Sequence, residues 1–319
     1  MEKMLRVGAA PHIFTKDSTA VIMQDVVIAL LPALAAGVYF FGYRAALLAI
    51  ISIASAVAFE HLWNVAFKKP TTVYDFSAVV SGLLLALNLP PTVPVWIPVV
   101  GSFFMIIIVK MCFGGMGQNF LNPALGARAF LVVSWPSIMT SYVNSGAKLI
   151  PFLLPDAVTS ATPLSGEAAT RYIDLFIGNI GGCIGETSKI ALLIGLAYLL
   201  IRKVITWRIP VAFVGTVAAL SWVFAGDGYF NGDWLFHILS GGLFLGAFFM
   251  ATDYSTTPVT KNGAFVFGIG CGVLTVIIRL IGGYPEGVSY SILLMNVASP
   301  LIEKATAPKR FGKAGFKSA

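Results

Sequence analysis

The sequence predicts an all-α integral membrane protein with about ten transmembrane helices, arranged as two inverted five-helix repeats with both termini cytoplasmic. The first supporting observation is composition. Of the 319 residues, 57% are hydrophobic and only 11% are charged, whereas charged residues make up about 25% of a typical soluble domain. The second is a series of long apolar runs. The third is an uneven distribution of Lys and Arg between the connections.

The apolar runs are each close to the ~20 residues that a helix needs to cross the hydrocarbon core. Pro90, Pro91, Pro94 and Pro98 predict a hinge or a broken helix around the junction of the third and fourth runs. The predicted spans are 26–43, 45–66, 76–92, 94–112, 120–136, 187–202, 209–226, 235–251, 263–283 and 287–303.

Lys and Arg are distributed unevenly over the two sides that these spans define. Of the twenty-one basic residues, the six on the far side or in the membrane are Arg44, Arg128, Lys148, Arg171, Lys189 and Arg279. The rest lie on the side of both termini, which the positive-inside rule makes cytoplasmic. The loop 137–186 is therefore predicted to face outward.

This outer loop divides the chain into two halves with five predicted spans each. Residues 1–136 hold an N-terminal segment and the first repeat, 187–306 hold the second repeat, and 307–319 form a basic cytoplasmic tail. An odd number of spans per half forces opposite orientations. Inverted repeats are typical of transporters and channels, whose binding sites form where discontinuous helices meet.

Several function classes lack support in the sequence. The net charge of +7 comes from basic residues between spans and at the C-terminus, so we expect no nucleic-acid partner. Cys112, Cys183 and Cys271 are too far apart to suggest a disulfide framework or a metal site, and we expect buried apolar roles for them. No phosphate-binding loop, catalytic serine motif or metal-ligand helix is apparent.

A small polar segment at 156–164 stands out within the outer loop. Thr162 before Pro163 suits a helix N-cap with proline in the first turn. The pattern Asp-x-x-Thr-Ser-Ala-Thr also resembles the segment in which flavin transferases esterify the phosphate of FMN to a threonine. That resemblance makes Thr162 the attachment residue, although attachment segments usually carry glycine at the position of Ser160. The other matching residues are Asp156, Thr159 and Ala161.

A glycine-rich connection at 114–128 joins the fourth and fifth predicted spans. Its glycines let the backbone approach a flat ligand or a neighbouring helix, and Asn122 can cap a helix that begins at Pro123. Arg128 lies inside a span, where an arginine normally has a partner or a ligand, so it could pair with a carboxylate or hold an anionic or flavin group. Asn119, Asn122 and Arg128 are candidates for a flavin or anion site. A tight turn between packed helices is the alternative.

A second glycine-rich stretch at 178–188 opens the sixth span on the same side as Thr162. Gly185, Glu186 and Thr187 are candidates for a cradle around a flavin attached there. Ordinary capping at a helix start is the alternative, because hydroxyl and carboxylate side chains favour that position.

Acidic residues also lie near predicted helix ends on the cytoplasmic side, namely Glu60 beside His61, Asp75 and Asp253. An ion or proton path would use such groups. The alternative for each is an interfacial side chain that is satisfied by a neighbouring lysine or by backbone.

Four motifs together resemble the D subunits of Rnf electron-transport complexes (RnfD), over nearly the whole chain. They are the segment 156–164, Gly-Gly-Met-Gly-Gln-Asn-Phe-Leu-Asn-Pro-Ala from Gly114, Gly-Glu-Thr-Ser from Gly185 and Met-Ala-Thr-Asp from Met250. The B subunits of sodium-pumping NADH:quinone reductases share these motifs but usually have a longer cytoplasmic N-terminus. The short start of this chain favours RnfD.

The resemblance implies FMN joined to Thr162 through a phosphoester and a second, non-covalent flavin, usually riboflavin. It implies a complex with the A, B, C, E and G subunits of Rnf in the cytoplasmic membrane of a bacterium or archaeon, matured by a flavin transferase. Such a complex couples electron transfer between reduced ferredoxin and NAD to movement of Na+ or H+. The RnfD chain is part of an oxidoreductase and is not active alone.

A second redox centre is also required on physical grounds, because one flavin anchored outside does not reach across a ~30 Å hydrocarbon core. The 114–128 connection and Asp253 are the candidates for its surroundings. Two other functions stay open. One is a passive channel or secondary transporter for a small polar solute, in which Thr162 is only a helix cap. The other is a structural membrane protein that anchors redox partners.

Overall fold

The computed structural model describes residues 18–143, 163–165, 171–226, 228–282 and 287–308. Within these ranges every extended element of regular structure is helical, and no β-strand occurs there. The prediction of an all-α chain is therefore confirmed for the described residues.

The first half of the chain folds into helices that begin after polar caps or connections. The Ser18 side chain accepts a hydrogen bond from the Val21 amide at the start of the first helix. The helices are α1 (Thr19–Phe41), α2 (Tyr43–Ala66), α3 (Ser77–Leu87, after a short turn at Val73–Asp75), α4 (Trp96–Phe103, continued by a π-helix at Phe104–Met111), α5 (Pro123–Ser134) and α6 (Pro136–Met139).

The second half repeats this use of caps. Ser188 and Thr260 accept hydrogen bonds from amides in the first turns of the two helices that follow them. After a short turn at Pro163–Ser165, the helices are α7 (Tyr172–Ile177), α8 (Lys189–Ile201), α9 (Arg208–Phe224), α10 (Trp234–Leu239), α11 (Leu243–Leu245, continued by a π-helix at Gly246–Met250), α12 (Lys261–Ile281) and α13 (Val288–Thr306).

Small residues bring the helices into close contact. In the first half α2 packs against α3 and α4, and in the second half α12 packs against α9 and α13. A side chain at Gly82 would come within 2.9 Å of the Ile53 backbone. The halves meet where α1 packs on α8, and there a side chain at Gly195 would overlap the Ala29 carbonyl. Close approach through small residues is how membrane helices gain packing energy.

Helix α3 is too short to cross a bilayer by itself, because its 11 residues extend only about 16 Å. Its C-terminal end is completed by a distant part of the chain. The Gly185 amide donates to the Leu87 carbonyl at 2.8 Å, and the Ile184 amide donates to the Leu89 carbonyl at 3.0 Å. These bonds satisfy helix-end carbonyls that would otherwise be buried without donors.

The proline-rich connection between α3 and α4 is held by a buried arginine. Arg44 Nε donates to the Pro91 carbonyl at 2.9 Å, and an Arg44 terminal nitrogen donates to the Val93 carbonyl at 2.9 Å. Arg44 is 1% exposed. The predicted interruption is confirmed, and a guanidinium group fixes its shape with several donors.

The run 235–251 was predicted as a continuous span, and that prediction is wrong in detail. The helix breaks at Ser240 and Gly241, where Gly241 has a φ of +67°, a value that favours glycine. A side chain at the next residue, Gly242, would overlap the Glu186 carboxylate. The break therefore makes room for a buried acidic group.

Three helices are long and apolar enough to cross a membrane, namely α1, α2 and α12. Shorter apolar helices of 10–17 residues are α3, α4 with its π-helical continuation, α5, α8 and α9. Each of the ten predicted runs contains helix, whereas the number of crossings and the orientation of the termini stay predictions. Cys183 and Cys271 are buried as expected, but Cys112 is exposed, so the prediction is wrong for that residue.

Candidate functional site

The predicted attachment segment borders a small buried cavity. Asp156, Thr159, Ser160, Ala161 and Thr162 themselves lie outside the described residues. The next residue along the chain is buried and lines a cavity of about 10 Å³. The lining residues are Pro163, Ile180, Gly181, Gly182, Glu186, Thr187 and Gly241. We call this the outer site.

The glycine-rich stretch forms most of the wall of the outer site. Residues 181–189 are all buried, and a side chain at Gly182 would meet nothing within 4 Å. Thr187 is 1% exposed, and its hydroxyl has no hydrogen-bond partner among the residues that the structure describes. Because an unpaired buried hydroxyl is costly, this group is suited to bind a ligand atom.

An ion pair lies directly behind the outer site. Arg128 donates to Glu186 Oε1 at 3.0 Å and to Asn88 Oδ1 at 2.6 Å. All three residues are buried. Arg128, Asn88 and Glu186 also line a second cavity of about 10 Å³ beside Gly242 and Met250. The sequence predicted that Arg128 would have a partner, and the structure identifies the partner as Glu186.

Lys189 is a functional candidate that sequence reasoning did not single out. Its side chain is fully buried, and its ammonium group donates to the backbone carbonyls of Glu186 and, at 3.2 Å, Gly241. The signal in the sequence was a lysine directly after the Ser188 cap, at the start of an apolar run. The cation therefore fixes the two chain segments that enclose the outer site.

A much larger cavity, of about 280 Å³, lies between the two halves at the other end of α3. We call it the inner site. It contains three residues predicted from two separate motifs, Asn119 and Asn122 from one and Asp253 from the other. Arg128 does not line this cavity, and its role as a flavin ligand stays a prediction. The remaining polar lining is Ser77, Ser81, Lys110, Thr252 and Ser255.

Asn122 has two structural tasks at the inner site. Its side-chain oxygen accepts hydrogen bonds from the Ala124 and Leu125 amides, which confirms the predicted cap of α5. Its side-chain nitrogen donates to the Met250 carbonyl at 3.2 Å. Asn119 donates to the Leu121 carbonyl at 2.9 Å. The connection thus presents both asparagines in fixed positions.

Asp253 lies in the turn after the π-helix that continues α11. Burial raises the pKa of Asp253, and hydrogen bonds from the Ser255 and Thr256 hydroxyls partly oppose that shift. The Ser255 hydroxyl is 2.9 Å and the Thr256 hydroxyl 3.2 Å from Asp253 Oδ2. A carboxyl group with a raised pKa can hold a proton and donate it to a bound polar ligand.

Lys110 is the only cation among the described residues that line the inner site. Lys110 Nζ lies 2.7 Å from Glu60 Oε2 and 2.6 Å from Ser77 Oγ. Lys110 is 3% exposed and Glu60 is fully buried. Glu60 is therefore paired with a lysine, whereas Asp75 accepts hydrogen bonds from Ser77.

A buried polar network joins the two sites. The Asn88 side-chain oxygen accepts a hydrogen bond from Arg128, and its side-chain nitrogen donates to the Met250 sulfur at 3.6 Å. The Met250 carbonyl in turn accepts from Asn122 at the inner site. Asn88 was not predicted, because nothing in the local sequence distinguishes it from a helix-end asparagine.

A protein-family model described as NQR2, RnfD, RnfE family matches residues 6–312. The chain belongs to this family. The match covers both halves, including the outer and inner sites, and confirms the resemblance identified from the four motifs.

Curated relatives match over nearly the full length of both chains. The D subunit of a Na+-translocating ferredoxin:NAD+ oxidoreductase complex from Acetobacterium woodii is 53% identical over 99% of this chain and 98% of its own. The D subunit of a proton-translocating ferredoxin:NAD+ oxidoreductase complex from Clostridium ljungdahlii is 44% identical over 98% and 97%. The D subunit of an ion-translocating oxidoreductase complex from Stutzerimonas stutzeri is 39% identical over 93% of each chain.

Proposed function

We propose that this chain is the D subunit of an ion-translocating ferredoxin:NAD+ oxidoreductase (Rnf) complex. In this proposal it relays electrons through FMN attached to Thr162 and through a second flavin in the inner site, and it works only together with the A, B, C, E and G subunits. Family membership supports the assignment. The observation that carries it is the presence of two separate sites, one beside the attachment segment and one built from Asn119, Asn122 and Asp253.

The residues of the outer site fit one small part of a covalently attached flavin. A cavity of about 10 Å³ holds roughly one water-sized group. It therefore suits a phosphate oxygen near Thr162, bound by the Thr187 hydroxyl, which has no partner among the described residues, and the ring system would lie outside this cavity. Attachment through the phosphate leaves the flavin ring free to carry electrons, while the protein supplies its position.

The inner site fits a flavin that has no phosphate. Its volume is close to the ~300 Å³ lower end of small-molecule sites. Apolar side chains such as Leu84 and Phe249 line it together with the polar Asn119 and Asp253. The lining cation, Lys110, is already neutralised by Glu60 at 2.7 Å. A phosphate would therefore enter without a free counter-charge, which favours riboflavin over FMN.

For the topology we propose ten spans in two inverted repeats, with both termini cytoplasmic and the Thr162 loop outside. The paired short or broken helices α3 and α11 support this arrangement, because discontinuous helices at equivalent places are typical of inverted repeats. The membrane would be the bacterial cytoplasmic membrane. The coupling ion would be Na+ or H+, since relatives named for each ion match this chain closely.

The experiment is to express the full chain together with an active flavin transferase and to denature it completely before analysis. We expect in-gel flavin fluorescence and a mass increase of one FMN in the wild type. Both signals should be lost in Thr162→Ala and kept in Thr170→Ala, a matched control in the same loop but outside the attachment motif. Flavin released on denaturation should be riboflavin. An unmodified wild-type chain, with the transferase active on a control substrate, would refute the proposal and favour a flavin-free transporter.

A further inference from the structure

The inner site has a wall that the electron relay does not use. Lys110 and Ser77 line the cavity, and Lys110 Nζ contacts Ser77 Oγ at 2.6 Å and Glu60 Oε2 at 2.7 Å. Glu60 does not line the cavity and is fully buried. The Lys110 ammonium group therefore lies between the cavity and a buried carboxylate.

Hydrogen bonds continue from Glu60 to the protein surface. Thr72 Oγ1 donates to Glu60 Oε1 at 2.5 Å, and Asn64 Nδ2 donates to Thr72 Oγ1 at 3.0 Å. Asn64 is buried, whereas Thr72 is exposed in the connection between α2 and α3. A continuous series of hydrogen-bonded groups thus extends from solvent through Thr72, Glu60 and Lys110 to the cavity.

We propose that Thr72, Glu60 and Lys110 form a proton-transfer chain from this surface into the inner site. The inference rests on the proposed function, because a flavin that takes up two electrons in the cavity also takes up one or two protons. The Lys110 ammonium group releases a proton into the cavity. The Thr72 hydroxyl gives its proton to the Glu60 carboxylate and takes one from water. Glu60 then returns a proton to the Lys110 amine, so one proton is delivered and the chain is restored.

The pairing suits this task when Lys110 releases its proton and Glu60 receives one from Thr72 in the same step, because the ion pair then becomes a neutral amine beside a neutral carboxylic acid and has no net charge in either state. Such a rearrangement avoids an isolated buried charge, which is strongly unfavourable. Among the described residues, Asp75 accepts a hydrogen bond from Ser77 Oγ at 2.5 Å, and the titratable Asp253 and Tyr254 line the same cavity as Lys110.

The test uses the full-length Thr162→Ala protein with its non-covalent flavin bound, so that only the inner site reports. Pulse radiolysis delivers electrons, while a pH indicator follows proton uptake and absorbance follows the flavin. We expect Thr72→Val to slow proton uptake roughly tenfold to a hundredfold and Thr72→Ser to restore it. His61→Gln, at the exposed neighbour of Glu60, should leave the rate unchanged. Flavin content after denaturation should be equal in all four proteins.

A second variant distinguishes the loss of the proton path from damage to the fold. Glu60→Gln alone leaves Lys110 unpaired, so it is combined with Lys110→Met, which removes both charges at similar volume. We expect this double variant to keep the flavin and to take up protons as slowly as Thr72→Val. Bound flavin with unaltered rates in Thr72→Val and in the double variant would overturn the proton chain alone. A wild-type protein without any extractable flavin would overturn the proposed function and this inference together.

Discussion

The outer and inner sites each lie beside a buried carboxylate that is paired with a buried cation, but the cavities next to the two pairs differ in volume. At the outer site Glu186 lies 3.0 Å from Arg128 next to cavities of about 10 Å³. At the inner site Glu60 lies 2.7 Å from Lys110 next to a cavity of about 280 Å³. The same kind of ion pair thus lies beside almost no free volume at the outer site and beside a large cavity at the inner site.

The difference indicates two ways of holding a cofactor. A ligand that is covalently tied to Thr162 has a high effective concentration at the outer site, so little enclosure is needed there. A ligand without such a bond needs enclosure and several polar contacts, which the inner site supplies through Asn119, Asn122 and Asp253. Substitutions at the two sites should therefore differ in what they change.

The largest effect is expected from the outer ion pair. Arg128→Met leaves Glu186 buried without its cation, which should lower the stability of the folded state by about 3–5 kcal/mol. The double variant Arg128→Met with Glu186→Gln removes both charges and should recover most of that loss. Thermal unfolding in detergent, at fixed pH, measures both. Equal Tm values for the single and double variants would show that charge does not hold this wall together.

The next largest effect should appear in the non-covalent flavin and not in the covalent flavin. Asn122→Ala removes the cap of α5, at about 1 kcal/mol, and withdraws a polar group from the inner site. We expect several-fold less extractable riboflavin, since one neutral hydrogen bond contributes about 1 kcal/mol. Covalent FMN should be unchanged, and Asn231→Ala on an exposed connection is the control. Equal losses of both flavins would contradict the separation of the sites.

A pH dependence of stability is expected at the inner site. Because the folded-state pKa of Asp253 is raised by burial, the folded protein binds this proton more tightly than the unfolded chain does. The resulting stabilisation is fully present below the ordinary pKa of aspartate and is lost as pH rises through the raised value. Asp253→Asn should remove this component from a plot of Tm against pH. A plot with the same shape as wild type would refute it.

The smallest effect is expected from substitution of Thr187, and whether the substitution is favourable should depend on whether the flavin is attached. In protein made without the transferase, Thr187→Val removes an unpaired buried hydroxyl and should be neutral or stabilising by about 1 kcal/mol or less. In flavinylated protein the same change removes a ligand contact, so the fluorescence anisotropy of the attached flavin should fall. Thr187→Ser should match wild type. An unaltered anisotropy in the valine variant would place the phosphate elsewhere.

Much of the helical framework could be predicted because apolar periodicity and capping are local. Helix occurs in every predicted run, and the Asn122 cap follows from its position before Pro123. The placement of Asn119 and Asp253 in one cavity was also anticipated from motifs in the two halves. These features depend on residues close in sequence or on a family pattern.

The partners of Arg128 could not be predicted in the same way. Asn88 and Glu186 are 40 and 58 residues away from it in the chain, and their meeting depends on where α3 ends inside the bundle. The same holds for Lys110 and Glu60, 50 residues apart. The sequence showed that buried charges need partners, but only the packing of short helices decides which ones.

The completion of α3 by Ile184 and Gly185 has a consequence for biogenesis. During synthesis the first five apolar runs leave the ribosome before residues 184 and 185 have been added. Until then the Leu87 and Leu89 carbonyls have no access to these two donors. A backbone carbonyl without a donor is costly in a lipid environment. The N-terminal half is therefore an unfinished insertion intermediate. Expressed alone it should be cleared by membrane proteases, and co-expression with the C-terminal half should lengthen its pulse-chase lifetime.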